Sequence, residues 1–242
     1  MTKILDISAN FRTGTTLPSI EEQYADLWDI AKFLNTLGIA IADWFPPADT
    51  EANSLLNPSF TETGPSPAAI AMAKADKDNL AHDLRTLGVW NGKEDEGGMV
   101  YTTTYNTGPI PSFLGFNAED VNPLLDYRNL IDLLQFVVRK WNPMLIQVTP
   151  DEYDSLSVFK DRPGAGWMLY LPFIISSQQI PEASEVIKIM DEKGKQQGTI
   201  IVTVTEAFDT KNLDHIQRAN AIETRLVDQD LLPTMSEFVS KF

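Results

Sequence analysis

The chain has 242 residues, of which 43% are hydrophobic, enough to bury a sizeable core. It contains no cysteine, which excludes disulfides, thiolate nucleophiles and cysteine-ligated zinc or iron–sulfur centres. Nineteen Lys and Arg stand against 34 Asp and Glu, a formal charge of -15, so the summed field repels nucleic acid and anionic lipid and favours a basic partner.

Lys3 to Arg12 reads as a first strand. Ser19 to Leu37 reads as a helix, because Ile20, Tyr24, Leu27, Ala31 and Leu34 recur at helical spacing and Gly38 stops it. Ile39 to Phe45 is expected as a strand ended by Pro46-Pro47, and Pro46 to Pro65 as a long loop. Ser66 is placed to cap a second helix, with Pro67 at its first position and Ile70, Ala73, Leu80, Leu84 and Leu87 on its apolar face as far as Gly88. An acidic turn, Asn91 to Gly98, leads into a strand pair over Met99 to Asn106 and Ile110 to Asn117.

A helix opening at Pro123 and running to Lys140 is apolar on most sides and is expected to be central and buried. Met144 to Thr149 reads as a short strand, Pro150 to Val158 as an acidic turn or short helix, and Gly166 to Phe173 as a strand led by Trp167. Glu185 to Met190 and Thr199 to Thr205 form a hairpin, and a last helix covers Lys211 to Val227. Strands in adjacent pairs, mixed with about four helices and not strictly alternating with them, give an α+β fold with a largely antiparallel or mixed sheet. The whole of 1–242 is expected to form one domain, with two closely packed halves as the variant reading.

Catalytic signals are weak. His82 and His215 are far apart and neither has a second histidine one helical turn away, so neither a zinc site nor a histidine-based triad is supported. Gly164-Ala165-Gly166-Trp167 lacks the spacing of a phosphate loop and reads as a close backbone approach that places Trp167. Asp191-Glu192-Lys193 sits in a polar hairpin turn. No metal or cofactor is therefore expected. Carboxylates alone still suffice for a metal-assisted hydrolase, and Asp151, Glu152 and Asp154, or Asp228 and Asp230, are the groups such an enzyme would use.

Interface signals are stronger. Asp43 and Trp44 precede a loop carrying Asp49 and Glu51, and Trp90 precedes Glu94-Asp95-Glu96. Tryptophans beside exposed acidic loops are what protein interfaces use as anchors, so these eight residues form the expected partner-binding set. Core packing is the plain reading of each of Trp44, Trp90, Trp141 and Trp167, set against the anchor reading of the first two, and Trp167 is expected to be structural. The start of the chain lacks the apolar run of a secretory leader and no stretch is long enough to span a membrane, so a cytoplasmic address with neither nucleic acid nor membrane as partner is expected.

The run Arg162 to Pro172, with Pro181-Glu182-Ala183, Gly198 to Val202 and Arg225-Leu226-Val227-Asp228, resembles the immunity protein 52 family of bacterial polymorphic toxin systems. The order strand, helix, and a second strand ending in Asp43-Trp44-Phe45 fits the same family. The resemblance implies an α+β protein, not an enzyme, that binds a toxin inside the producing or kin cell, often one with a restriction-endonuclease-type nuclease domain. A secretion-system adaptor is the remaining alternative, and self-association is left open by the residues.

Overall fold

In the strand β1 (Ile4–Phe11), Leu5, Ile7, Ala9 and Phe11 are buried and the residues between them are half-buried, the period of two that a strand with one covered face requires. The computed structural model describes residues 3–80, 82–150 and 152–241. After β1 come α1 (Ile20–Thr36), α2 (Glu51–Ser54), the short strands β2 (Phe60–Thr61) and β3 (Gly64–Pro65), α3 (Pro67–Ala75), β4 (Leu84–Trp90), β5 (Met99–Asn106) and β6 (Ser112–Glu119). The chain continues through α4 (Tyr127–Trp141), β7 (Leu145–Pro150), α5 (Tyr153–Leu156), β8 (Met168–Leu171), β9 (Glu185–Met190), β10 (Gln196–Val202), α6 (Leu213–Asp228) and α7 (Met235–Lys241). The fold class is α+β with antiparallel strand pairing. Contacts divide the chain into two compact units, Thr13–Pro123 and the residues up to Arg12 together with those from Leu124 onward. No described helix is long and apolar enough to cross a membrane.

In the Thr13–Pro123 unit, α1 opens on a reciprocal cap. Glu22 N donates to Ser19 Oγ at 3.1 Å and Ser19 N donates to Glu22 Oε2 at 2.7 Å. The helix buries Tyr24, Leu27, Ile30, Ala31 and Leu34 on the antiparallel ladder β4-β5-β6, and Tyr101 Oη donates to the Leu27 carbonyl at 3.1 Å. Arg85, Leu87 and Val89 of β4, Tyr101 and Thr103 of β5, and Leu114 and Phe116 of β6 form the covered face. A polar knot lies within it: Gln23 Nε2 donates to the Thr103 carbonyl at 2.7 Å, and Arg85 Nε donates to Gln23 Oε1 at 2.8 Å.

Two expected elements are corrected here. Ile39 to Phe45 is not a strand; Ile41–Asp43 is a 3-10 turn and only Phe45 pairs, opposite Trp90. The second helix begins as expected, with Ser66 Oγ accepting from Ala69 N at 3.1 Å, but it ends at Ala75. Leu84–Trp90 is strand β4, because pairing with β5 satisfies one edge of its backbone and the buried set is Arg85, Leu87 and Val89 at a period of two.

The other unit carries the ladder β1-β7-β8-β10-β9. All four residues of β8 are buried, as for a strand covered on both faces. Trp167, just before it, is 1% exposed and its indole N–H donates to the Val204 carbonyl at 2.9 Å. Gly166 holds φ +51, and a Cβ there would stand 2.7 Å from the Val148 carbonyl oxygen, so the close backbone approach read from the sequence is the reason for glycine. Helix α4 buries Leu130, Ile131, Leu133, Leu134, Val137, Val138 and Trp141, as its composition requires.

Candidate functional site

The residues that follow β4 and those that approach it from Phe45 build a concave acidic surface on the Thr13–Pro123 unit. Ser54 is the fastener: its Oγ donates to the Pro46 carbonyl at 2.6 Å and accepts from the indole N–H of Trp90 at 2.7 Å. Thr50 caps α2 by accepting from Asn53 N at 3.2 Å. The segment carrying Asp49 and Glu51 is thereby held beside β4, and the indole of Trp90 is fixed in orientation.

On the other side, Asn91 shapes the acidic turn. Its Nδ2 donates to the Gly97 carbonyl at 2.7 Å and its Oδ1 accepts from Met99 N at 2.8 Å. Gly98 is required by space: a Cβ would lie 2.7 Å from the Asp95 carbonyl and 2.8 Å from that of Lys93. Glu94, Asp95 and Glu96 stand exposed on this tied turn, beside Lys93.

Two concavities open along β4. One, of about 460 Å³, is lined by Glu51, Trp90 and Glu94 with Pro47, Val100 and Thr102. The second, of about 660 Å³, is lined by Asp49 and Asp76 with Pro46, Met72, Thr86 and Gly88. Pro47, Ala48, Thr86 and Gly88 belong to both, so the two adjoin. The uncovered face of the ladder continues from them: Leu84, Val100 and Phe113 are exposed, and Thr86 Oγ1 and Thr104 Oγ1 share a hydrogen bond of 2.8 Å.

The structure thus brings Glu51, Trp90 and Glu94 to one concavity and Asp49 to its neighbour. Asp43, Asp95 and Glu96 are exposed but line neither. Trp44 is corrected from surface anchor to core residue: it is fully buried, 4.6 Å edge-on from Tyr101. Thr86, Gly88, Val100 and Thr102 were not anticipated as lining residues, because β4 reads as a helix from its leucine spacing. The signal available was the strand-forming chemistry of Thr86, Val89 and Trp90.

The carboxylates considered for a hydrolase are dispersed. Asp151 lies outside the described residues. Glu152 and Asp154 are exposed around α5, and Asp228 and Asp230 are exposed at the end of α6. Among the described residues no group of three or more His, Asp or Glu stands close enough to hold a metal ion. A further concavity of about 410 Å³ holds Asp228 with Glu182, Asn220 and Arg225, where Glu182 and Arg225 neutralise each other in an ion pair at 2.5 Å.

No family model matches the chain, and no curated protein matches it in sequence. Among solved structures it is similar to the Pseudomonas aeruginosa T6SS protein PA0821, at a TM-score of 0.56 and 12% identity, over 93% of this chain and 73% of that one. That likeness is one of fold.

Proposed function

We propose that this chain is a toxin-neutralising immunity protein of bacterial competition, acting in the cytoplasm by binding and not by catalysis. The observation that carries the reading is the acid-rimmed concavity along β4, in which Glu51, Glu94 and Trp90 converge on a protein with a formal charge of -15. A nuclease presents positive charge to phosphates, and a carboxylate-lined surface complements that groove while the half-buried indole of Trp90 supplies short-range contact area. The resemblance of Arg162 to Pro172 and Arg225 to Asp228 to the immunity protein 52 family points the same way. The fold likeness to a type VI secretion system protein is compatible with it.

The toxin expected is a basic nuclease domain of restriction-endonuclease type, covered over its active or substrate-binding groove. Inhibition of that kind is affinity times occupancy, with no bond made or broken. Co-expression with the product of the adjacent reading frame, followed by size-exclusion chromatography and a plasmid-degradation assay, tests it. One co-eluting peak with nuclease activity suppressed is expected. Separate peaks with undiminished DNA cleavage would overturn the reading.

A further inference from the structure

Strand β4 ends its ladder: β5 lies along one side, and on the other Phe45 alone among the described residues bridges to it. Phe45 N donates to the Trp90 carbonyl at 2.8 Å and Trp90 N donates to the Phe45 carbonyl at 3.1 Å, so the backbone groups of Trp90 point outward. Odd-numbered neighbours point the other way. The Asp83 carbonyl accepts from Thr107 N at 2.9 Å, and Asn91 N donates to the Met99 carbonyl at 3.0 Å. Backbone direction alternates with a period of two along an antiparallel strand, so the N–H and C=O of Thr86 and Gly88 face outward like those of Trp90. No described backbone group pairs with them there.

The next residues explain why the chain leaves its own edge open. With Phe45 opposite Trp90, antiparallel register sets Pro46 opposite Val89 and Pro47 opposite Gly88. Pro47 has no N–H to give the Gly88 carbonyl, so the bridge stops after Phe45 and the chain turns away. What remains is the groove between Pro46-Pro47-Ala48 and Thr86-Leu87-Gly88, with donors and acceptors on its floor. Gly88 adds no side chain to that floor, and a Cβ there would lie 2.6 Å from Thr102 Cγ2. A glycine in an edge strand admits the close approach of another backbone.

We propose that the partner adds an extended, basic segment to β4 as an outer strand, exchanging backbone hydrogen bonds with Thr86 and Gly88 and setting Lys or Arg side chains against the carboxylates of the rim. The inference rests on the toxin-neutralising reading and specifies how that same surface is used. The occupant follows from two features together. The free edge selects extended backbone. The exposed Asp49, Glu51 and Glu94 around it select positive charge and disfavour a second copy of this acidic chain. The segment is short: at about 3.4 Å per residue, four residues reach across both outward positions.

Hydrogen exchange on the complex with the adjacent reading frame's product tests this, together with the Thr86→Pro and Thr86→Val variants. Thr86 faces its N–H away from β5, so proline there removes the outward donor and leaves the β4–β5 ladder intact. The amides of Thr86 and Gly88 are expected to exchange freely in the protein alone and to slow by at least about tenfold in the complex, and Thr86→Pro to weaken binding by about tenfold with Thr86→Val near the parent. A complex that forms with both amides unprotected, or that Thr86→Pro joins as tightly as the parent, overturns strand addition and leaves the toxin reading standing. Failure of any complex to form overturns both. Protection that appears in the protein alone and grows with its concentration assigns the edge to self-association and also overturns the proposal. Should Thr86→Pro fail to fold, exchange in the parent decides.

Discussion

Tyr153 and Glu223, 70 positions apart, are joined inside the fold: the phenol donates to Glu223 Oε1 at 2.6 Å. The same carboxylate accepts from Ala165 N at 2.9 Å and from Val158 N at 2.8 Å, and it is 1% exposed. One helical side chain therefore supplies the acceptors for the connection between α5 and β8, including the residues that lead into Gly166 and Trp167. A buried donor stripped of its acceptor loses about 1–3 kcal/mol, so Glu223→Ala is expected to destabilise the fold by about 3 kcal/mol or more and Tyr153→Phe by about 1.5–3 kcal/mol. Urea unfolding checks both, with the slope unchanged. A Glu223→Ala midpoint equal to the parent's would show that this connection finds other partners.

Trp44 and Trp167 are both buried, but they differ in their indole N–H. That of Trp167 is bonded to Val204, whereas that of Trp44 is buried without a hydrogen-bond partner. Truncation of either to Ala is expected to cost about 3–5 kcal/mol, chiefly through lost packing. Replacement by Phe separates them, because Trp167→Phe forfeits a made hydrogen bond and Trp44→Phe removes an unsatisfied donor. The Trp167→Phe penalty is expected to be the larger by about 1 kcal/mol, read from denaturant midpoints. Equal penalties would contradict the assignment of these two environments.

Burial pushes the phenols of Tyr24 and Tyr170 up to about 12 and raises those of Tyr101 and Tyr153 as well, the last also through the Glu223 carboxylate beside it. In the unfolded chain a tyrosine titrates near 10. Between those values the unfolded state has lost a proton that the folded state keeps, so the stability these groups contribute is complete below pH 10 and is lost as pH rises through the folded values. Each such tyrosine removes about 1.4 kcal/mol per pH unit in that window. Urea midpoints are expected to show no pH dependence from these phenols below pH 10 and to fall steeply above it, less steeply in Tyr24→Phe. A slope unaltered in that variant would show that other groups drive alkaline unfolding.

The two corrected elements show what the sequence holds and what it does not. Ser19, Glu22, Ser66 and Pro67 act locally, and the helix starts read from them are where the structure has them. Leu84 and Leu87 mislead because three-residue spacing suits a helix face, while the buried partner of Leu87 on β4 is Arg85, a charge no periodicity rule places inside. Arg85 is accommodated by Gln23 and by the Pro18 carbonyl, both of which accept from its guanidinium, and their proximity is a tertiary fact. Trp44 misleads for a similar reason: the acidic residues around it are exposed, but its ring turns inward onto Tyr101. The acidic segments were legible from composition. That Glu51, Trp90 and Glu94 share one concavity was not, since Ser54 and Asn91 create it through contacts across the unit.

Long-range attraction and short-range contact are separable on this surface, because the carboxylates that rim it are solvent-exposed while the backbone edge beneath is not charged. Replacing Asp49, Glu51, Glu94, Asp95 and Glu96 by Asn or Gln removes field without removing edge or indole. Exposed charges act over a Debye length of about 10 Å at 0.1 M salt and about 30 Å at 0.01 M, so their work is done before docking. The neutralised variant is therefore expected to associate with the adjacent reading frame's product about tenfold more slowly at low salt, with a flatter salt dependence and a nearly unchanged off-rate. Trp90→Ala is expected to show the opposite pattern, a faster off-rate with the salt slope kept, because its ring meets the partner only once the surfaces touch. Stopped-flow association at several salt concentrations measures both. An on-rate and salt slope equal to the parent's in the neutralised variant would mean that these carboxylates only solvate the turn and the loop, and that the basic partner is steered to another face.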